Sequence, residues 1–177
     1  MKISGISPEK TELFRQLSSE NPGIAQKSLQ RLLKVAGLKE MPLLIRTMAV
    51  TRHEKVAQDI ENWLASIKTN EAAVIMAEAL VDPDLSSIRA ALVRASWESQ
   101  LDFSHHLLLF AHLMITGDYG LAVEAFSVIE NTCMEHPVPV ERINELTSQL
   151  KNSLPDQPES KQRLVRELIL VLENCNR

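Results

Sequence analysis

The feature that most constrains this chain is a repeat. Four segments carry an apolar-leaning set at i, i+4, i+7 and i+8: Ala25, Leu29, Leu32, Leu33; Val56, Ile60, Trp63, Leu64; Ile88, Leu92, Ala95, Ser96; and Ala122, Phe126, Ile129, Glu130. That spacing marks one face of an α-helix. Successive sets lie 31, 32 and 34 residues apart, and the last two end on a polar residue. Eight residues before the four anchors stand Leu17, Met48, Leu80 and Met114, and four before those stand Leu13, Leu44, Met76 and Phe110. Two helices therefore recur in one register in every unit, the pattern of a helical-hairpin array. A single hairpin cannot bury its apolar face, so stacked neighbours must do it. An irregular bundle would have to reproduce one offset in four pairs by chance.

Punctuation sets the helix limits. Ser7-Pro8 and Asn21-Pro22 each put a capping side chain before a proline at the first helical position. Gly37 and Gly117 stand where helices should stop, and Asp82-Pro83-Asp84 ends one helix and opens another. The expected helices cover about 8–19, 22–36, 40–50, 53–68, 70–81, 85–99, 103–116, 118–133, 139–154 and 159–175. No segment alternates like a strand, and aromatics make up only 4% of the chain, which favours helices over sheets. The expected fold is all-α: a right-handed alpha-alpha superhelix, a helical-hairpin solenoid of about four repeats over residues 1–136. After His136-Pro137-Val138-Pro139 the register is lost. Residues 137–177 read as a C-terminal helical hairpin cap on the same continuous domain, lined by Val140, Ile143, Leu146 and Leu150, then by Leu164, Val165, Leu168, Ile169, Val171 and Leu172. Leu29, Leu32, Ile60, Leu64, Leu92 and Phe126 are expected to be buried.

The stretch Asp82-Pro83-Asp84-Leu85-Ser86-Ser87-Ile88-Arg89-Ala90-Ala91-Leu92 resembles a HEAT repeat. That resemblance implies an aspartate turn, with Asp84 able to cap the second helix, and an arginine, Arg89, that helps bridge neighbouring repeats. Arg52-His53-Glu54-Lys55-Val56-Ala57 lacks both the aspartate and the arginine. Residues 117–126 resemble instead the second helix of a tetratricopeptide repeat, although Phe110 stands where that family has a small residue. The HEAT resemblance is the stronger, and the tetratricopeptide one stays open beside it.

Charge bounds the partners. The net charge is −4. Residues 1–40 hold seven Lys/Arg against four Asp/Glu, residues 41–132 six against twelve, and residues 133–177 six against seven. A protein gripping nucleic acid usually carries a basic stripe, which is not the balance here. Some DNA glycosylases are built on HEAT-like repeats, but they need a basic groove lined by aromatics, and the middle of this chain is acidic. Glycine is too scarce for a phosphate loop, and no serine sits in a nucleophile elbow. Glu54, Asp59 and Glu61 cluster, but on an expected solvated face. His105 and His112 share a helix face by spacing, and Cys133 and His136 offer two ligands with Cys175 as a soft third, short of a four-ligand zinc site. No metal, cofactor or enzymatic activity is expected. Two cysteines read as free thiols of a cytoplasmic protein. Met1-Lys2-Ile3-Ser4-Gly5-Ile6 lacks the apolar run of a signal peptide, and no stretch is apolar for long enough to span a bilayer.

What remains is the side of the second helices opposite the core stripe, at i+2, i+5, i+6 and i+9. It carries Lys27, Gln30, Arg31, Lys34; Gln58, Glu61, Asn62, Ala65; Ala90, Val93, Arg94, Trp97; and Glu124, Ser127, Val128, Asn131. In a HEAT-like array second helices line the concave surface. The expected function is that of a non-catalytic adaptor or scaffold whose partner is a protein or peptide segment, and not nucleic acid or membrane; the alternative is an accessory subunit of a larger assembly. Trp97, Arg94, Val93 and Ala90 would form its centre, Glu61 and Glu124 would attract a basic or amphipathic segment, and Arg31 and Lys34 would form a basic end. Trp and Arg are enriched in binding hot spots. The competing reading is that a neighbouring helix covers Trp97, as array helices bury more than one side.

Overall fold

The computed structural model describes residues 6–175, so the expectation drawn from Met1–Gly5 lies outside the described residues. Among those residues the fold is all-helical, with no strand. Ten α-helices follow in order: α1 Pro8–Leu17, α2 Pro22–Leu33, α3 Met41–Val50, α4 Glu54–Ser66, α5 Glu71–Val81, α6 Arg89–Ser99, α7 Leu107–Thr116, α8 Tyr119–Glu135, α9 Val140–Ser153 and α10 Glu159–Cys175. Pro83–Ile88, Ser104–His106 and Leu154–Asp156 are 3-10 turns.

Local chemistry explains the starts. The Ser7 hydroxyl accepts the Lys10 amide, and the Asn21 side chain accepts the amides of Gly23 and Ile24, each beside a proline in the first turn. Asp118 caps α8 by accepting the Leu121 amide. The aspartate turn departs from expectation. Asp82, not Asp84, is the cap, accepting the Asp84 amide. Pro83 has no N–H, so the cap reaches the next amide, and Asp84 lies inside the turn it was expected to open. The turn winds as a 3-10 helix, and α6 begins only at Arg89.

The helices pair as α1/α2, α3/α4, α5/α6, α7/α8 and α9/α10. Between pairs, α2 packs on α4, α4 on α6, α6 on α8 and α8 on α10, while α3 meets α5 and α7 meets α9. The C-terminal pair therefore docks on α7 and α8 as earlier pairs dock on theirs, although the sequence register breaks before it. Its core is Ile143, Leu146 and Leu150 on α9 and Val165, Leu168, Ile169 and Leu172 on α10. Val140, the first residue of α9, is exposed, and Leu164 and Val171 are half-buried. Lys161 ties this pair down: its buried ammonium donates to the carbonyls of Ile115 (2.6 Å) and Gly117 (2.9 Å) at the C-terminal end of α7. Gly117 is required for close approach and not for its φ of −74°. A Cβ there would lie 2.7 Å from the Leu113 carbonyl oxygen and 2.7 Å from Leu121 Cδ2.

All eight first-helix positions read from the repeat are buried, from Leu13 and Leu17 to Phe110 and Met114. So are Leu29, Leu32, Ile60, Leu64 and Leu92. Phe126 is a correction, because it is half-buried. The buried line of α8 runs through Ala122, Ala125, Val128, Ile129 and Thr132, which leaves Phe126 at its edge. Ser96, a polar residue at an apolar position, is buried with its hydroxyl donating to the Leu92 carbonyl. No helix among the described residues is long and apolar enough to cross a membrane.

The turn before α3 carries a pH-sensitive contact. Glu40 is buried and accepts from the Lys10 ammonium at 2.7 Å and from the Gly37 amide at 2.9 Å. Burial alone would raise its pKa, but those donors together outweigh it and hold the carboxyl below its ordinary value of 4.5. A carboxylate with a depressed folded pKa stabilises above its unfolded pKa and loses that contribution as pH falls through the folded one. Glu40→Gln is expected to cost about 1–2 kcal/mol at pH 7. The gap to the parent should hold above about pH 5.5 and close as the pH falls below 4.5. Urea melts of both proteins across that range check it, and a pH-independent gap would remove the ion pair from the account.

Candidate partner-binding face

The second helices form one layer, α2 to α10, with one side toward the first helices and the other outward. Position on a helix decides what each expected site residue meets. Counted from buried Leu92 at about 100° per residue, Trp97 lies about 140° round α6, Val93 about 100°, and Arg94 and Ala90 roughly opposite. Counting from Ile88 fails, because Ile88 belongs to the 3-10 turn. Val93 is accordingly a flank residue with no exposed surface, which corrects its assignment to the open face. Val128 on α8 is buried too. Ala90 is exposed, as are Arg31 and Lys34, while Arg94, Trp97 and Glu124 are half-buried.

Glu61 is the second correction. It is only 8% exposed, and it is not free to attract a partner. Arg94 Nη1 donates to Glu61 Oε1 at 3.1 Å and Arg94 Nε to Glu124 Oε1 at 3.3 Å. The Trp97 indole N–H donates to the other oxygen of Glu124. One arginine thus bridges α4, α6 and α8 and spends its guanidinium inside the chain. Burial raises the pKa of Glu61, and the charges of Glu98 and Glu124 add to that rise against the pull of Arg94. Two carboxylates on one guanidinium, with the charge of Glu98 also acting on Glu61, leave this part of the face acidic.

A similar junction joins α2 to α4. Gln26 and Gln30 both donate to Asp59 Oδ2, and Lys55 pairs with Asp59 Oδ1 at 2.7 Å. The hydrogen bond from Lys55, helped by both glutamines, holds the Asp59 carboxyl below its usual range despite desolvation. Asp59 and Glu61 therefore sit at helix junctions, and of that carboxylate cluster only Glu54 is fully exposed. The sequence held a signal for these pairs. Glu61 and Arg94 are 33 residues apart, Gln26 and Asp59 also 33, and Arg94 and Glu124 30, each close to one repeat. The Nε of Arg89, to which the resemblance assigns a bridging role, is buried with no hydrogen-bond partner, and the arginine seen to link neighbouring helices is Arg94.

Beside Trp97 lies a cleft lined by Gln100, Phe103, Asn131, Glu135 and His136, with a cavity volume of about 50 Å³. That holds a water or two rather than a substrate. At the other end of the face Lys27, Arg31 and Lys34 are exposed. Arg31 has only a 3.5 Å contact with exposed Glu9, and Lys27 and Lys34 have no ionic partner among the described residues. Burial pushes the Cys133 thiol up to about 12, which keeps it protonated at neutral pH. His105 lies in a 3-10 turn ahead of α7, so it does not continue the face of His112. Among the described residues no group of three or more His, Cys, Asp or Glu is placed to hold a metal ion. Comparison with protein-family models, curated proteins and solved structures returned no match to this chain.

Proposed function

We propose that the chain is a HEAT-like right-handed solenoid acting as a non-catalytic adaptor, which binds a protein segment along the concave face of its second helices. The observation that carries this reading is the serial packing of α2, α4, α6, α8 and α10. It leaves one extended surface, with exposed cations at α2, of which Arg31 alone has an ionic contact among the described residues, and an acid-rich cluster from α4 to α8. The polar bridges between successive second helices, about one repeat apart, support the repeat assignment, with Arg94 in the linking role. On this reading Arg94, Trp97 and Glu124 hold the face in register, and the contacts fall on the exposed positions around them, such as Asn62 and Ala90.

Affinity capture on the intact chain, beside an Asn62→Arg/Ala90→Arg variant, tests it. The parent is expected to retain a stoichiometric protein that the variant holds about tenfold more weakly, because added bulk and charge obstruct the face. Equal retention by both proteins, or turnover of a small molecule or nucleic acid by the purified chain, would overturn the proposal.

A further inference from the structure

A second feature of the face lies at its N-terminal end, where the start of α1 meets the end of α2. There an open cleft with a cavity volume of about 420 Å³ is lined by Ser7, Glu9, Lys10, Leu13, Arg31, Lys34 and Val35. Its volume falls in the range of built ligand clefts, roughly 300–1,000 Å³. Val35, left 55% exposed, supplies apolar surface beside the nearly enclosed Leu13. Lys10 is already neutralised by Glu40. Arg31 and Lys34 are not neutralised in that way. Lys27 and Ile24, also exposed, extend the same side of α2 at helical spacing. In a chain of net charge −4, a cleft that carries Lys10, Arg31 and Lys34 against the one carboxylate of Glu9 differs from the acid-rich cluster of α4 to α8.

We infer that this cleft docks an acidic peptide segment of a partner protein, with one apolar side chain seated against Leu13 and Val35 and carboxylates toward Arg31 and Lys34. The inference rests on the reading of the chain as a binding module and names the partner chemistry at one end of its face. Charge complementarity selects the acid, since guanidinium and carboxylate make strong charge-assisted hydrogen bonds. The apolar floor selects an anchored peptide over a free anion. Nucleic acid fits less well, because no aromatic ring lines the cleft for base stacking.

The test uses the full chain and synthetic peptides of about a dozen residues, each with one Leu or Phe among Asp and Glu. Matched peptides carry Lys in place of the acids, or Ser in place of the anchor. An oligo-dT strand serves as the nucleic-acid probe. At least one acidic, anchored peptide should bind saturably at one site, more tightly than its Lys, Ser and oligo-dT counterparts and more weakly as salt rises. Arg31→Glu/Lys34→Glu should weaken it about tenfold or more, with an unchanged melting transition because both side chains are exposed. Val35→Ser should weaken it about threefold through lost apolar contact. Acidic peptides that bind no better than their Lys counterparts, tighter oligo-dT binding, or indifference to the double charge reversal would each sink the inference. None of these outcomes touches a partner retained through Asn62 and Ala90, so the two proposals fail separately.

Discussion

Phe110→Ala is expected to destabilise the fold by about 3–5 kcal/mol, the range for truncating a fully buried aromatic. Phe110 has no exposed surface, and its ring meets Phe103 edge-on at a centroid distance of 5.2 Å and an interplanar angle of 81°. Such pairs contribute about 0.5–1.5 kcal/mol beyond the area they bury. Phe103 lies in the segment that follows α6, and Phe110 is in the middle of α7. The contact therefore fixes the segment that leads into α7 against α7 itself, and truncation leaves a void where the two rings meet. Phe110→Leu keeps most of the volume and is expected to cost less than half as much. Urea denaturation of the two variants and the parent gives both numbers. A loss below about 1 kcal/mol for the alanine variant would mean that the hairpins tolerate the void by sliding, against the close packing assigned to them.

The tetratricopeptide-like stretch illustrates why Phe110 matters. A small residue is the family expectation at that position, yet the ring is fully enclosed and meets Phe103, seven residues earlier in the chain. The first-helix positions were legible because they obey one rule, apolar at a fixed offset, and all eight proved to be buried. Flank positions obey no such rule. Val93 was assigned to the open side by its offset from Ile88, but the 3-10 turn at Pro83–Ile88 shifts the helical phase, and Val93 turns into the layer of second helices. Charged flank residues were harder still. Glu61 and Asp59 read as ordinary solvated carboxylates until paired with residues one repeat away, and a lone helical wheel cannot represent a partner on another helix. Lys161 stands in the charged run Glu159-Ser160-Lys161-Gln162-Arg163 and carries no local mark of burial. Its role comes from two carbonyls more than forty residues earlier in the chain.

Trp97→Ala is expected to cost about 2–4 kcal/mol of stability, somewhat below the figure for a fully enclosed tryptophan. Two losses add. The indole packs against the core from a half-buried position, and its N–H holds a Glu124 oxygen that also lies within the reach of Arg94. Removing the ring opens a cavity between α6 and α8 and leaves that carboxylate with one donor fewer. Trp97→Phe separates the two effects, since it keeps most of the apolar area and deletes only the donor, at an expected cost of about 1 kcal/mol. A free hot spot behaves in the opposite way: truncation would weaken a partner by at least about 2 kcal/mol and leave the melting transition almost unmoved. Thermal and urea melts of the two variants decide the matter without any partner in hand. An alanine variant as stable as the parent would free Trp97 from the α6–α8 junction and return it to the centre of the proposed binding face.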